Sequence, residues 1–471
     1  MAANVAPVRE RQSLGSSPLK PESDARAVTT TREILGLLFG PISGRDFAVR
    51  LWDGSTESPP VAPRFTIVLT HPGALRRMFI PPTELNLAEA FIRQDYDVER
   101  DLEYATTLSD PIEERLKSVG TKAKLMRLVM SLPSTVSGHP EAPASIPAWR
   151  KLPHYFFRHS KDRDAAALAF TYDTSNEFYE QWLDENMQYT CAYFRRGNDD
   201  LDQAQRDKLE HICRKLRLKK GDRLLDIGCG WGGLLRYAVM KYGVVGYGVT
   251  LSKEQAAYAN DWFKRSGISD NCVADVRDYR DIEDARRFDK VTAVGMVEHV
   301  GVARLTEVYS KVYSMLEPGG LFLNHLITTV LERPQYPGDR GTGKVLRQHN
   351  EFIQKYMFPD AEMPTIGEVV LNTERVGLEV RDVENLREHY ATTFRQWLAR
   401  CDAKKDEVIA LVGEPAYRAF RIYLAAFPPR FEQRWMSLNQ VLLCRPLPNG
   451  MSGLPPSRDD IYHDVGNVSS R

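Results

Sequence analysis

Arg223-Leu224-Leu225-Asp226-Ile227-Gly228-Cys229-Gly230-Trp231-Gly232-Gly233 is the stretch that decides the fold. Its apolar run reads as a buried strand ending in glycine, and Leu234 to Tyr242 reads as the helix that follows. Gly228 and Gly230 let the backbone turn tightly and approach a ligand with no Cβ in the way. Further along, Val244 to Thr250 reads as a second strand. Ser252-Lys253-Glu254-Gln255 reads as a capping-box start to a helix reaching about Arg265. Val291 to Gly295 and Leu321 to His325 read as further strands. Strands alternating with helices predict an α/β fold with a mostly parallel, doubly wound, Rossmann-like sheet, and the glycine loop falls at its carboxyl edge.

Such a loop commonly holds a nucleotide. A dinucleotide site places Asp or Glu about 20 residues on, at the end of the second strand, to hold a ribose hydroxyl. Thr250-Leu251-Ser252 stands there instead, which disfavours NAD. Asp226 precedes the glycines, where a carboxylate orders the loop and receives a cation but repels a pyrophosphate. A nucleoside with a charged amino-acid tail fits, and S-adenosyl-L-methionine is the obvious one. The plainer alternative is that the glycines only make a sharp turn.

The 471 residues suggest two to four domains. With 63 Lys+Arg against 63 Asp+Glu the net charge is zero, which argues against a nucleic-acid binder working through a global basic field. No apolar run reaches the roughly 18 residues of a membrane span, and the N-terminus lacks the apolar core of a secretory signal. The expected location is therefore cytoplasmic. Cys191, Cys213, Cys229, Cys272, Cys401 and Cys444 form no CxxC pair, so no metal site is expected and free thiols are the plain reading. Residues 1–31 and 448–471 read as flexible tails. Residues 32–115 read as a small N-terminal α+β domain: Phe65–Leu69 is strand-like, His71-Pro72-Gly73 closes it, and Ala74–Phe79 and Leu85–Phe91 suggest short helices. Residues 116–164 read as a basic connector ending in Trp149-Arg150-Lys151-Leu152-Pro153-His154-Tyr155-Phe156-Phe157-Arg158-His159-Ser160-Lys161. Aromatics among cations suit a membrane interface, single-stranded nucleic acid, or a solvated linker with a few packed rings. Residues 165–447 hold the large sheet.

Several segments together resemble the cyclopropane-fatty-acyl-phospholipid synthase family, which includes the mycolic acid cyclopropane synthases. Leu224–Gly233 and Gly248–Gln255 resemble its S-adenosylmethionine motifs. Tyr172-Asp173-Thr174-Ser175-Asn176-Glu177-Phe178-Tyr179 is similar to its HYD-x-SN-x-FF segment. Met187 to Phe194 resembles Y-S-C-A-Y-F, Gly295 to Gly301 resembles GM-x-EHVG, and Lys355-Tyr356-Met357-Phe358-Pro359 resembles KYIFP. The resemblance spans most of residues 60–445 and implies a methyltransferase fold acting on lipid. It implies that Tyr189, Thr190, Asp226, Gly228, Gly230, Thr250, Leu251 and Gln255 line the methyl-donor site, with Ala274, Asp275 and Val276 beside the adenine. It implies that Cys191, Glu298, His325 and Tyr390 surround the reacting alkene and hold a bicarbonate ion, with Ile327 near it. Tyr172, Phe178 and Tyr356 would line the acyl channel. The implied partners are a phospholipid bilayer surface at the inner face of the membrane and unsaturated acyl chains. Nucleic acid is not among them, and a homodimer stays open. Three positions depart from the family pattern: Thr171 replaces the histidine opening the first segment, Phe358-Pro359-Asp360-Ala361 replaces FPGG, and Phe427 replaces a cysteine. The last two bear on the acyl channel and the product.

The chemistry explains these residue types. An isolated alkene is a weak nucleophile, so it must be held in line with the methyl group at roughly 3–3.5 Å. Methyl transfer leaves a carbocation that water would quench, so a dry channel is needed. Aromatic faces stabilise the cation, and a base then removes a proton from the added methyl to close a cyclopropane ring. Loss of a different proton gives a methyl-branched or methylene chain. A soluble small-molecule methyltransferase and a non-catalytic lipid binder are the competing readings. Cys191 alone would read as a buried apolar residue, and His325 as a hydrogen-bonded core histidine. Glu298 is hardest to explain as structure, because a carboxylate at the sheet's ligand edge needs a partner.

Overall fold

The computed structural model describes residues 21–134, 159, 161, 163–164, 175–197, 200–283, 285, 287–330 and 351–462. Two compact units divide the chain, residues 1–144 and residues 145–471. Helices of the first unit are α1 (Pro21–Phe39), α2 (Ala74–Phe79), α3 (Glu84–Ile92), α4 (Leu102–Thr106), α5 (Ser109–Leu116) and α6 (Val119–Ser131). Its strands β1 (Ala48–Arg50), β2 (Thr56–Glu57), β3 (Phe65–Leu69) and β4 (Tyr96–Arg100) form one sheet in the order β2-β1-β3-β4. Phe47 stacks on Phe65 at 5.0 Å in its core. The expected strand at Phe65–Leu69 and the two short helices are present.

Two boundaries of this unit differ from the sequence reading. Residues 21–31 belong to α1, not to a tail: Ala27, Thr31, Ile34, Leu35 and Leu38 recur at helical spacing and are buried. Residues 119–131 are helix α6 rather than connector, with Leu125 and Val129 buried where α6 packs against α1 and α2. The basic-aromatic run before His159 lies outside the described residues, as do Thr171 and Tyr172.

The second unit carries β5 (Arg223–Ile227), β6 (Val245–Thr250), β7 (Cys272–Val276), β8 (Phe288–Val294), β9 (Leu316–Thr329), β10 (Glu379–Asn385) and β11 (Met436–Cys444) in the order β10-β11-β9-β8-β5-β6-β7. The five strands β9 to β7 are parallel, and β11 runs antiparallel to both of its neighbours, β9 and β10. The order reverses at β5 and β8, so a crevice opens at their carboxyl ends. Both faces are covered, which is why β5 reads as continuous apolar text: Leu224 enters one core with Leu235 and Phe263, and Leu225 the other with Val291 and Tyr309. The helices are α7 (Asn176–Glu180), α8 (Leu201–Lys215), α9 (Gly233–Tyr242), α10 (Lys253–Arg265), α11 (Leu305–Met315), α12 (Ile366–Arg375), α13 (Arg387–Ala403), α14 (Lys405–Val412), α15 (Glu414–Glu432) and α16 (Asp459–Tyr462). Residues 448–462 are not a free tail. Helix α16 packs on α8, Ile461 is buried, and Arg217 and Arg458 pair with Asp460 and Asp382. All six cysteines are free and buried.

Glycines of the loop are fixed by close approach as well as conformation. A Cβ on Gly233 would lie 2.1 Å from the carbonyl oxygen of Asn186, a backbone atom that cannot swing away. Gly36 in α1 has nothing within 4 Å of that position. Gly233→Ala should therefore destabilise the protein by about 1–3 kcal/mol, whereas Gly36→Ala should be neutral or stabilise by up to about 1 kcal/mol. Thermal midpoints followed by circular dichroism will check both.

Candidate active site

At the end of β5, Gly228 (φ +80°) and Gly230 (φ +53°) take left-handed conformations. The carbonyl of Val249 in β6 accepts from both Gly228 N and Cys229 N, at 2.8 and 3.1 Å, and pins the loop. Gly228 stays exposed, and a Cβ on Gly230 would meet nothing nearer than Gln255 Nε2 at 4.0 Å, so the space above the loop is open. Thr250 Oγ1 donates to Gln255 Oε1 at 2.9 Å, turning Gln255 toward the loop. Ser252 accepts from Gln255 N, and the reciprocal half of the expected capping box is replaced by this Thr250 contact. Leu251 is half-buried beside them. Asp226 is buried and accepts from Thr292 Oγ1 at 2.7 Å, so it ties β5 to β8, and burial pushes its carboxyl up to about 6. On β7, Ala274 is bound on both backbone groups by Asn260, Asp275 accepts from Tyr247 OH at 2.7 Å, and Val276 is exposed.

Residues 184–194 form a strap across this loop. Asp184 accepts from Asn186 N and Gln188 N, both at 2.8 Å, and burial raises its carboxyl to about 6. The fully buried Lys208 of α8 donates to Gln188 Oε1 and Thr190 Oγ1, and burial pulls its amine down to about 8. Gln205 Nε2 donates to the Thr190 carbonyl at 2.9 Å. Sequence reasoning missed Lys208, Gln205 and Asp184. One signal was available: Leu201, Ala204, Gln205, Lys208 and Ile212 share the inward spacing of α8, an unusual place for a lysine.

Glu298 lies in a short 3-10 turn (Val297–His299) just past β8. His325 lies inside β9, four residues before that strand ends, whereas the sequence reading puts a strand end there. Glu298 Oε1 accepts from Ile327 N at 2.6 Å, while its Oε2 is buried with no hydrogen-bond partner. Burial drives the Glu298 carboxyl up to about 7, against the opposing Ile327 hydrogen bond. His325 stands opposite Val294 of β8 and Gln440 of β11. The Gln440 side-chain amide pairs with His325 Nδ1 at 3.2 Å, and the other ring nitrogen, Nε2, is buried and unpartnered. Burial holds the ring neutral, far below its ordinary pKa. Cys191 is fully buried, donates to the Ala192 carbonyl at 3.2 Å, and is kept a thiol by burial. Ala192 N donates to Thr393 Oγ1 at 3.0 Å and Phe194 N to His389 Nδ1 at 2.9 Å, stitching the strap to α13.

Helix α13 carries Tyr390 into an aromatic wall. Its ring lies 4.8 Å from Phe394, 4.9 Å from Phe431 and 6.0 Å from Trp397, measured between centroids. Trp397 reaches Tyr189 at 5.2 Å, and Tyr189 reaches Trp182 at 5.3 Å and Phe358 at 6.2 Å. Phe178 joins through Trp182 at 5.7 Å, and Phe427 stacks on Phe394 at 5.1 Å. Tyr356 packs on Phe352 and beneath Lys355. His299 contacts Phe358, and burial pulls its pKa to about 4, consistent with a structural role.

The sheet with its glycine loop at the β5 end defines a methyltransferase class dependent on S-adenosylmethionine. The chain resembles the cyclopropane synthase MmaA2 from Mycobacterium tuberculosis, at 30% identity and TM-score 0.55 over 59% of this chain and 97% of that one. It matches equally a mycolic acid cyclopropane synthase CmaA1 structure complexed with SAH and CTAB. The mycolic acid cyclopropane synthetase family matches residues 159–441, and this chain belongs to that family. A "Probable fatty acid methyltransferase" of Pseudomonas putida is 38% identical over 88% of this chain and 95% of its own length. The "Cyclopropane-fatty-acyl-phospholipid synthase" of Escherichia coli K12 is 36% identical over 59% of this chain and 68% of its own.

Glu298 binds its proton more tightly folded than unfolded. Stability should therefore fall as pH rises from about 4.5 to about 7 and level off above, by up to about 3 kcal/mol. Glu298→Gln removes the penalty. Its thermal midpoint should exceed wild type at pH 8.5 and lose that advantage by pH 5, a comparison that differential scanning calorimetry makes directly.

Proposed function

We propose that this enzyme methylates a cis double bond of an unsaturated phospholipid acyl chain and closes it to a cyclopropane. One observation carries the reading: Glu298 Oε2 and His325 Nε2 are buried polar atoms without partners, on two neighbouring segments, the turn that follows β8 and strand β9. Buried polar atoms are nearly always paired, so such atoms at a ligand-binding edge point to a bound group. Gly228, Gly230, Thr250, Leu251, Gln255, Tyr189 and Thr190 would hold S-adenosylmethionine, with Ala274, Asp275 and Val276 near its adenine. Bound there, it supplies an electrophilic methyl. A bicarbonate ion fits the neighbouring atoms: His325 Nε2 can donate to it when that nitrogen carries the ring proton, and Glu298, titrating near 7, can donate when protonated. Such an ion supplies a base. Tyr390, Phe394 and Trp397 face the acyl chain with ring surfaces that favour positive charge and exclude water. Cys191, uncharged, adds no competing nucleophile.

The P. putida relative's description favours a second product, a methylated fatty acyl chain arising from the same cation by loss of a different proton. Labelled methyl donor with vesicles of cis-unsaturated phosphatidylglycerol discriminates. The reading requires label in the lipid with high-field ring protons in NMR; vinyl or methyl-branch signals alone would replace it with the second reading. Glu298→Gln should lower transfer by about 100-fold or more.

A lipid surface would be met from the cytoplasmic side, peripherally, at the inner face of the membrane. Among the described residues no helix is long and apolar enough to cross a membrane. The outward face of α6 supports surface binding: Val119 is 84% and Met130 55% exposed, Ala123 lies between them, and the exposed Lys122 and Arg127 flank the stripe. Lys122→Glu with Arg127→Glu should weaken co-sedimentation with anionic vesicles by about tenfold, leaving binding to zwitterionic vesicles unchanged.

A further inference from the structure

Asp360 is a residue that local geometry disfavours. Its φ of +62° suits glycine, and its carboxylate is buried. The carboxylate accepts from Arg163 Nε at 2.5 Å and Nη2 at 2.8 Å, and Arg163 is buried as well. Such a pair contributes little net stability on average, since desolvation offsets the attraction. Its place in the fold is more telling. Gln354 holds both Asp360 N and the Ala361 carbonyl. Two residues on, Glu362 N donates to the Glu298 carbonyl at 2.8 Å, and Glu362 Oε2 accepts from Val302 N at 3.1 Å. Two residues before, the Phe358 ring lies between Tyr189, His299 and Tyr423, at 6.2, 5.8 and 6.0 Å. On the other side of the pair, Asp164 binds Arg280 at 2.9 Å. His159 Nδ1 donates to the His299 carbonyl at 3.2 Å, and its ring fills the space a Gly301 side chain would need.

We infer that the Arg163–Asp360 pair positions the segment carrying Phe358 against Glu298 and so keeps water from the carbocation. The inference rests on the proposed reaction and adds a residue pair that sets the product. With the wall in place, a C–H electron pair of the added methyl closes the ring and its proton goes to the base. With the wall loosened, a lone pair of water forms a C–O bond to the cation and water's proton is lost to solvent, giving a methyl-branched alcohol. Asp360 is thus a positioning residue, since it touches the site only through its neighbours.

The test uses the full chain, methyl donor and dioleoyl-phosphatidylglycerol vesicles. Asp360→Gly removes the carboxylate at a position whose backbone suits glycine, Asp360→Asn keeps its size, and Arg163→Met removes the other partner. Each should raise the alcohol share of product about tenfold and lower kcat about tenfold, with KM for the donor changed less than twofold. The double variant Arg163→Met/Asp360→Gly should match the single variants. An unchanged alcohol share in folded variants, or a lower melting temperature with unchanged product ratios, would overturn the inference. Absence of methyl transfer by the wild-type chain would instead overturn the reaction on which it rests.

Discussion

The candidate site is built on a carboxylate in the turn just past β8 and an imidazole inside the neighbouring β9, both buried. Glu298 uses one oxygen on the backbone of Ile327, and His325 uses one nitrogen on Gln440. The other atom of each is left buried without a partner. Folding tolerates this only because the surrounding sheet is rigid and because both groups can be neutral, the imidazole throughout and the carboxyl up to about pH 7. In the proposed reading, the burial that makes them unfavourable for stability is what suits them to a small bound anion.

Under the proposed function, the elements around this pair would hold two reactants without water. The strand order places the glycine loop and Glu298 on either side of one crevice, and Gly228 has no Cβ because the Met296 side chain would lie 3.2 Å from it. Lys208 fixes the strap that carries Tyr189, Thr190 and Cys191, and Thr393 and His389 fasten the strap to α13. The aromatic wall on α13 and α15 joins the strap through the Trp397–Tyr189 contact.

The sequence is informative where physics acts locally. Strand β5, its loop and helix α9 were legible because buried-strand text, glycine and helical spacing follow one another directly. Glu298, His325 and Tyr390 entered as candidates through motif resemblance, and Glu298 also through the oddity of a carboxylate at the sheet's ligand edge. Helix α1 was obscured by its many threonines and arginines, whose outward positions hide the buried Ala27, Thr31 and Ile34. Helix α6 was obscured by its lysines. Lys208 was passed over because lysines usually sit in solvent. The Arg163–Asp360 pair joins residues 197 apart, a contact that no local pattern encodes. Tyr356, in the short π-helical turn Ile353–Met357, was legible only through the family motif.

The proton that leaves the added methyl group is the most direct test of the whole account. With a donor carrying a trideuterated methyl, a dry site with a base beside the cation predicts a ring carbon that keeps two deuteriums and loses one, read by mass spectrometry and deuterium NMR of the lipid. Retention of all three deuteriums in the major product would contradict it.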